Sequence, residues 1–388
     1  MGRKVCIVGT AHPFRGGMAD YNESLARAFQ KNGDEVTIIN FTTQYPSLFF
    51  PGKTQYTSEA APEGLQNLRC LSSVNPLSWI KTGLRIKKMQ PDIVMINYWL
   101  PLMAPALGTV ARIVKSNRHS RLLSVVHNMV PHEKRPGDRL LSKYFIAPID
   151  GFLTMARKVF TDLREFDNKK PVVFHPHPIY EHYGTKKSKT KARSRLGLDS
   201  EKKYLLFFGF IRDYKGLDLL LKAIKAVSRE FPEVQLVVAG EFYAKADYYL
   251  DLIKTLEIED AVILKTEFIP REAVADYFCA ADLVVQPYKS ATQSGVTQIA
   301  YHFEKPMVVT NVGGLGELVP DGKTGLVTDT EPQAIANAVI RYFNEALEAS
   351  FTENMKEEKK RYSWAGLLHT LDELDKMVIK GGQDGNKK

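Results

Sequence analysis

The chain has 388 residues, 44% hydrophobic and 25% charged, which is too long for one ordinary core and about right for two α/β domains. Its net charge of +9 is divided unevenly: 24 basic against 13 acidic residues over 1–180, 8 against 3 over 181–203, and 21 against 28 over 204–388. Cys6, Cys70 and Cys279 form no C-x-x-C pair, arguing against a disulfide framework or zinc site, and no apolar run approaches the ~20 residues that span a bilayer.

The first half alternates strand and helix patterns. Apolar runs at Lys4–Gly9, Glu35–Asn40, Asp92–Tyr98 and Leu122–His127 predict buried strands, and Ala19–Lys31, Pro76–Gln90 and Pro101–Val114 carry helical spacing. This alternation predicts a parallel sheet covered by helices on both faces. Thr185–Arg195 is strongly basic with no apolar periodicity and reads as a linker or surface arm. A second βα series follows, with strands at Tyr204–Gly209, Val234–Gly240, Ala261–Lys265, Asp282–Tyr288 and Pro306–Val312. Its helices are Leu217–Phe231, Asp247–Leu256, Arg271–Ala281, Val296–Phe303 and Pro332–Ala349, and a last helix covers 364–380. The expected organisation is a Rossmann-like domain over 1–182, joined by the last helix, a second over 183–363, and a disordered tail over 381–388. In such sheets ligands bind beyond the carboxyl ends of the strands, so two facing units would place both sets of strand ends on one cleft.

The residues able to carry chemistry follow strand ends. The first strand runs into Gly9-Thr-Ala-His-Pro-Phe-Arg-Gly16-Gly17 and then a helix, where glycines admit close backbone approach and free N–H groups face an anion. This is not G-x-G-x-x-G, and Asn40 ends the second strand where a dinucleotide site would place Asp or Glu, which argues against a nicotinamide dehydrogenase. In the second series, Tyr204–Gly209 leads to Arg212 and Lys215-Gly216, cations placed to meet a diphosphate. Strand Asp282–Tyr288 leads to Thr292-Gln293-Ser294-Gly295-Val296, small polar residues opening a helix that also carries Gln298.

Together these segments resemble the retaining GT-B glycosyltransferases of the group 1 family, glycosyltransferase family 4. The similarity runs over nearly the whole chain and is clearest over 204–327, in Lys215-Gly216, Ala239-Gly240-Glu241, Ala281-Asp282…Pro287, Lys305-Pro306, Gly313-Gly314…Glu317 and Asp321-Gly322…Gly325. Gly16-Gly17 fits the family's amino-terminal glycine loop, and His127 its cleft histidine. The resemblance implies two facing Rossmann-like domains, the carboxyl-terminal one holding a nucleotide-diphosphate sugar and the amino-terminal one the acceptor. The loops read above and this resemblance together assign Arg212, Lys215 and His127 to catalysis, and Gly16, Gly17, Glu241, Thr292, Gln293, Ser294, Gly295, Val296 and Gln298 to the donor.

Two departures from the family pattern concern the donor. The family's paired glutamates, eight positions apart around the helix near Gly295, are absent: Thr292 or Ala291 stands at the first place and Ile299 or Ala300 at the second. The phosphate-binding arginine that usually follows the strand glycine is replaced by Phe210, with Arg212 two residues along.

No D-x-D motif is present to hold a metal, so neither metal nor other cofactor is expected. The expected reaction is metal-independent retaining transfer of a hexose to a glycan or polyprenyl-diphosphate-linked acceptor, in the cytoplasm at the inner face of the cell membrane, for surface polysaccharide biosynthesis. Pro76–Gln90 places Leu77, Ile80 and Leu84 on one stripe and Lys81, Arg85 and Lys88 on another; Arg135, Arg139 and Lys143 interleave with Leu140, Leu141, Tyr144 and Phe145. Such basic amphipathic stretches suit an anionic membrane surface. Nucleic acid is not an expected partner, because the basic arm lacks interleaved aromatics. The competing readings are a sugar-nucleotide epimerase of the same fold, which would consume donor without acceptor, and a non-catalytic anion- or nucleic-acid-binding protein, which would release no nucleotide.

Overall fold

In a computed structural model of the chain, the residues described are 2–45, 54–57, 59–130, 135–243, 245–291 and 294–385. The chain divides into one unit of Met1–His177 with Trp364–Lys388 and a second of Pro178–Ser363.

The first unit holds a seven-stranded sheet: β1 (Lys4–Val8), β2 (Glu35–Thr43), β3 (Gln66–Ser72), β4 (Ile93–Tyr98), β5 (Arg121–Val126), β6 (Gly151–Thr154) and β7 (Val172–Phe174). All pairings are parallel, in the order β3-β2-β1-β4-β5-β6-β7, so the winding reverses between β1 and β4. One face packs on helix Gly17–Lys31 and helix Trp364–Gly385 through Tyr21, Leu25, Leu367, Leu371 and Leu374. The other packs on helices Pro76–Met89, Ala104–Lys115 and Asp138–Ile146 through Ile86, Val110 and Phe145. Strands β3, β6 and β7 escape the sequence pattern: β3 is an edge strand, half-exposed and mixed in polarity, and β6 and β7 have only four and three residues.

The second unit has a six-stranded parallel sheet of β8 (Lys203–Phe208), β9 (Val234–Ala239), β10 (Val262–Lys265), β11 (Leu283–Gln286), β12 (Met307–Thr310) and β13 (Gly325–Thr328). Its order is β10-β9-β8-β11-β12-β13, reversing between β8 and β11. The predicted helix Pro332–Ala349 is interrupted: one helix ends at Asn344, Ala346 takes a positive φ of 50°, and another runs Glu348–Glu358.

Two expectations are corrected. The basic segment is no free linker: Ser188 caps a helix over Lys189–Leu196, accepting from Lys191 N–H at 3.3 Å. Its cations meet acids of the same unit, Lys187 with Asp276 at 2.7 Å, Lys189 with Asp282 and Glu348 at 2.6 Å each, and buried Arg193 with Asp282 at 2.7 Å. Apolar periodicity is missing because ion pairs hold this helix. The tail expected over 381–388 is helical as far as Gly385, because the last helix, anchored by its buried leucines, adds one backbone hydrogen bond per further residue; residues 386–388 lie outside the described residues.

Candidate active site

In the second unit, β8 and β11 deliver two loops to the reversal point, where a parallel sheet leaves a crevice for ligand. The first loop passes Gly209, at φ 95°, into a short 3-10 turn, Asp213–Lys215, and then helix Leu217–Glu230. Gly216 is obligatory there: its φ is 67°, and a Cβ would lie 1.9 Å from the Pro287 carbonyl oxygen of the second loop. The two loops are further tied by Lys289 N–H donating to Tyr214 O at 2.7 Å, and by Lys289 Nζ, which meets Asp213 at 2.8 Å and Asp218 at 3.0 Å.

Lys215 is the chemically informative residue. Only 9% exposed, it turns its ammonium back under Gly209, 2.8 Å from where a Cβ would sit, and over the Tyr288 ring at 5.7 Å from the centroid. No carboxylate faces it among the described residues. Burial, assisted by the charge of Arg212, pushes its pKa down to about 8. Arg212 is exposed beside it, with Cζ 5.1 Å from the Tyr243 ring centroid. Glu241 is carried in by β9, where Gly240, at φ 141°, lets the strand end pass so close to Gly209 O that a Cβ would lie 2.3 Å from it. Ile211 N–H then donates to Glu241 O at 2.9 Å.

The helix after β11 begins at Gly295, with Ser294 as its N-cap and no side chain among the described residues capping it, which leaves its first N–H groups without an intrahelical partner. Ser294 is held from below. Its hydroxyl donates to Gln286 Oε1 at 2.6 Å, and Thr297 donates to the same oxygen at 3.1 Å. Tyr288 lies 3.3 Å away through its hydroxyl, and Thr310 fixes the Tyr288 carbonyl at 2.6 Å. Val296 is buried and Gly295 exposed, the latter with Tyr180 3.3 Å from where a Cβ would be. Gln298 is fully buried, and neither atom of its amide has a hydrogen-bond partner among the described residues. Thr292 and Gln293 lie outside the described residues.

In the first unit the reversal between β1 and β4 gathers a different set. The loop from Gly9 to Gly16 is braced by buried amides: Asn22 donates to Thr10 O at 2.8 Å, and Asn40 both accepts from Ala11 N–H at 3.1 Å and donates to Ala11 O at 2.9 Å. Glu23 accepts from His12 N–H at 2.7 Å. Gly16 takes φ 110° as the residue before the helix, and Gly17 is the first helical residue. His127, just past β5, donates from Nε2 to Asn97 Oδ1 at 2.9 Å, which leaves Nδ1 as an acceptor. It stands edge-on to Tyr21, with centroids 5.1 Å apart. Loss of hydration, then neighbouring His177, pushes its pKa down to about 3, so the ring is neutral at physiological pH.

The structure thus brings Arg212, Lys215, Glu241, Ser294, Gly295, Val296 and Gln298 to strand ends of the second sheet, and Gly16, Gly17 and His127 to those of the first. Sequence reasoning missed the supporting residues Gln286, Tyr288, Thr310 and Asn97. A polar residue closing an apolar strand, as in Leu-Val-Val-Gln286, was the available signal.

Two family profiles match the chain: "Glycosyltransferase Family 4" over residues 15–183 and "Glycosyl transferases group 1" over 188–362. Similar curated proteins include the D-inositol 3-phosphate glycosyltransferase of Corynebacterium urealyticum, 25% identical over 76% of this chain and 73% of that protein. Those of Streptomyces avermitilis and Stackebrandtia nassauensis are 28% and 29% identical; the match covers 65% and 92% of this chain, and 57% and 85% of theirs. Among solved structures, a glycosyltransferase of Rickettsia africae superposes with a TM-score of 0.75 at 15% identity, over 98% of this chain and 99% of its own. Anabaena HepE in complex with UDP gives 0.71 at 16% identity, over 96% and 98%. Two profiles that divide the chain between them, on two parallel sheets each reversing at its centre, place this protein in glycosyltransferase family 4, the group 1 transferases, retaining enzymes of the GT-B fold that take their sugar from a nucleotide sugar.

Proposed function

We propose that the protein transfers a hexose, with retention of anomeric configuration and without a metal, from a nucleoside diphosphate sugar held by the second unit to a lipid-linked saccharide held by the first. The observation that carries this reading is Lys215, a buried ammonium at the reversal point of the second sheet with no carboxylate to neutralise it among the described residues. Keeping an unpaired ammonium out of water is costly, and a diphosphate supplies the missing charge. Arg212 adds donors from the rim, and the N–H groups of Gly295 and Val296 add backbone donors.

In this reading the C1–O bond to the diphosphate breaks as the acceptor oxygen bonds C1 from the same face. The acceptor proton passes to the departing phosphate oxygen. Positive charge placed beforehand at the leaving group lowers the barrier. Glu241 and Gln298 are assigned to the donor sugar, with Thr292 and Gln293, and neutral His127 to a hydrogen bond with the reacting sugar. Gly16 and Gly17 allow the donor's close approach. The basic excess over residues 1–180 supports a lipid-linked acceptor at the anionic inner face of the membrane, in surface polysaccharide synthesis. No helix among the described residues is long and apolar enough to cross that membrane.

The test is thermal unfolding of the full chain with UDP, GDP and ADP and their hexose conjugates, with EDTA present throughout. Because Anabaena HepE is solved with UDP, UDP is the first ligand to try. A ligand at 100 times its dissociation constant adds about 2.7 kcal/mol of stability. A shift for one base and one sugar is the expected result; no shift with any nucleotide would remove the donor assignment.

A further inference from the structure

Helix Pro76–Met89 presents two opposite faces. Thr82, Gly83 and Ile86 are buried, and Gly83 lies so close to helix Ala104–Lys115 that a Cβ would meet Ile113 at 2.8 Å. The helix is also pinned to edge strand β3: Trp79 Nε1 donates to Ser72 O at 2.6 Å, and Thr82 Oγ1 to Cys70 O at 3.2 Å. At 100° per residue, Leu77, Ile80, Leu84, Lys81, Arg85 and Lys88 fall within an arc of roughly 140° on the side away from that anchor. Leu77 is 66% exposed, Leu84 52% and Ile80 46%. No acidic residue occurs between 76 and 90, and Lys81 and Arg85 have no carboxylate partner among the described residues.

Beside this helix, Lys81 and Arg85 border an open pocket of about 330 Å³ shared with Asn75 and Ser78. Helix Asp138–Ile146 packs along the far side of helix Ala104–Lys115 and belongs to the same layer. It exposes Leu140, at 74%, next to Arg139 and Lys143. Unpaired cations and exposed leucines on rigid, well-anchored helices match a surface that is both anionic and apolar. An aqueous polyanion would leave the leucines in water.

We propose that this layer is a docking surface for an anionic bilayer, in which Lys81 and Arg85 hold a lipid phosphate headgroup in the pocket while Leu77, Ile80, Leu84 and Leu140 enter the acyl boundary. The proposal builds on the membrane-linked acceptor put forward above, yet the two fail separately, because vesicle binding needs no turnover. The experiment is sedimentation of the full chain with vesicles of phosphatidylglycerol and phosphatidylcholine, and of phosphatidylcholine alone, at about 0.05 M and about 0.5 M salt. Binding to the anionic vesicles at low salt, weakened at high salt, is expected. A cation near such a surface contributes about 5-fold in partitioning, so Lys81→Ala with Arg85→Ala should lower it by about 25-fold. Leu77→Ser with Leu84→Ser should weaken it independently of salt. The nucleotide-induced thermal shift should be unchanged in both variants, which confirms that they are folded. Absent binding at low salt would overturn the proposal, as would unchanged binding by both variants or complete displacement by double-stranded RNA of equal charge.

Discussion

The two sheets reverse direction in the same way, yet what they gather at the reversal differs in kind. The second sheet collects charge: buried Lys215, exposed Arg212 and an uncapped helix start. The first collects neutral polar groups, Asn22, Asn40, Asn97 and His127, with Asn97 Nδ2 and Thr10 Oγ1 buried and unpartnered among the described residues. On the function proposed above, one fold serves two chemistries through what its loops carry: cations and N–H dipoles for an anion in the second unit, and a neutral imidazole for a hydroxyl group in the first, where the Asn22 and Asn40 amides brace the loop.

The contrast can be broken most directly at Lys215. Replacing it by Met should lower UDP affinity by roughly 10- to 150-fold, the value of a charge-assisted contact, while the empty protein melts higher because an unpaired buried ammonium is gone. Calorimetric titration and thermal melts would read the two opposite changes; equal loss of both would make Lys215 a structural residue. Its protonation gives the next effect. With a free-state pKa of about 8, Lys215 carries its charge below that pH and sheds it above. UDP affinity should then be level up to pH about 8 and fall toward tenfold per unit beyond, a slope missing in Lys215→Met.

Gln298 offers a smaller effect. Leu in its place removes two buried atoms that have no partner among the described residues, so the empty protein should gain stability. The preference for a sugar nucleotide over the free diphosphate should fall by about 5- to 10-fold, the worth of a hydrogen bond of about 1 kcal/mol. Paired titrations with UDP and its hexose conjugates measure this.

On the first sheet the mildest change is expected at His127. Its folded pKa of about 3 lies below the ordinary histidine value, so the unfolded chain takes up the proton first as pH falls. The stability it contributes is present above pH ~6.5 and is lost progressively as pH falls toward 3. His127→Gln should flatten melting temperature against pH over that window and leave UDP affinity unchanged at pH 7. A pH-dependent UDP affinity tracking His127 would contradict its neutral state.

Much of this was legible in the sequence, and the gaps have physical causes. Long buried strands such as Glu35–Thr43 and Val234–Ala239 announce themselves by runs rich in β-branched and apolar residues. Lys215-Gly216 was readable because a glycine needing positive φ marks a tight turn after a strand. The three- and four-residue strands β7 and β13 carry too few residues for any period. Of the support beneath Ser294 only Gln286, a polar residue closing an apolar strand, leaves a trace in sequence, since Gln286, Tyr288 and Thr310 converge only when β11 and β12 pair. Least legible was the segment 186–195, whose cations look solvated in sequence and are paired in space.

That pairing bears on how the protein meets proteases. Six lysine and arginine bonds between 186 and 195 make the segment an obvious tryptic target on paper. Four of them lie in the helix Lys189–Leu196, and its turns, with the ties from Lys189 and Arg193 to Asp282 beside β11, keep those four bonds from adopting the extended form a protease requires. Cutting there then waits on opening of the second unit. A nucleotide that closes the β8–β11 crevice should lengthen the lifetime of a segment it never touches.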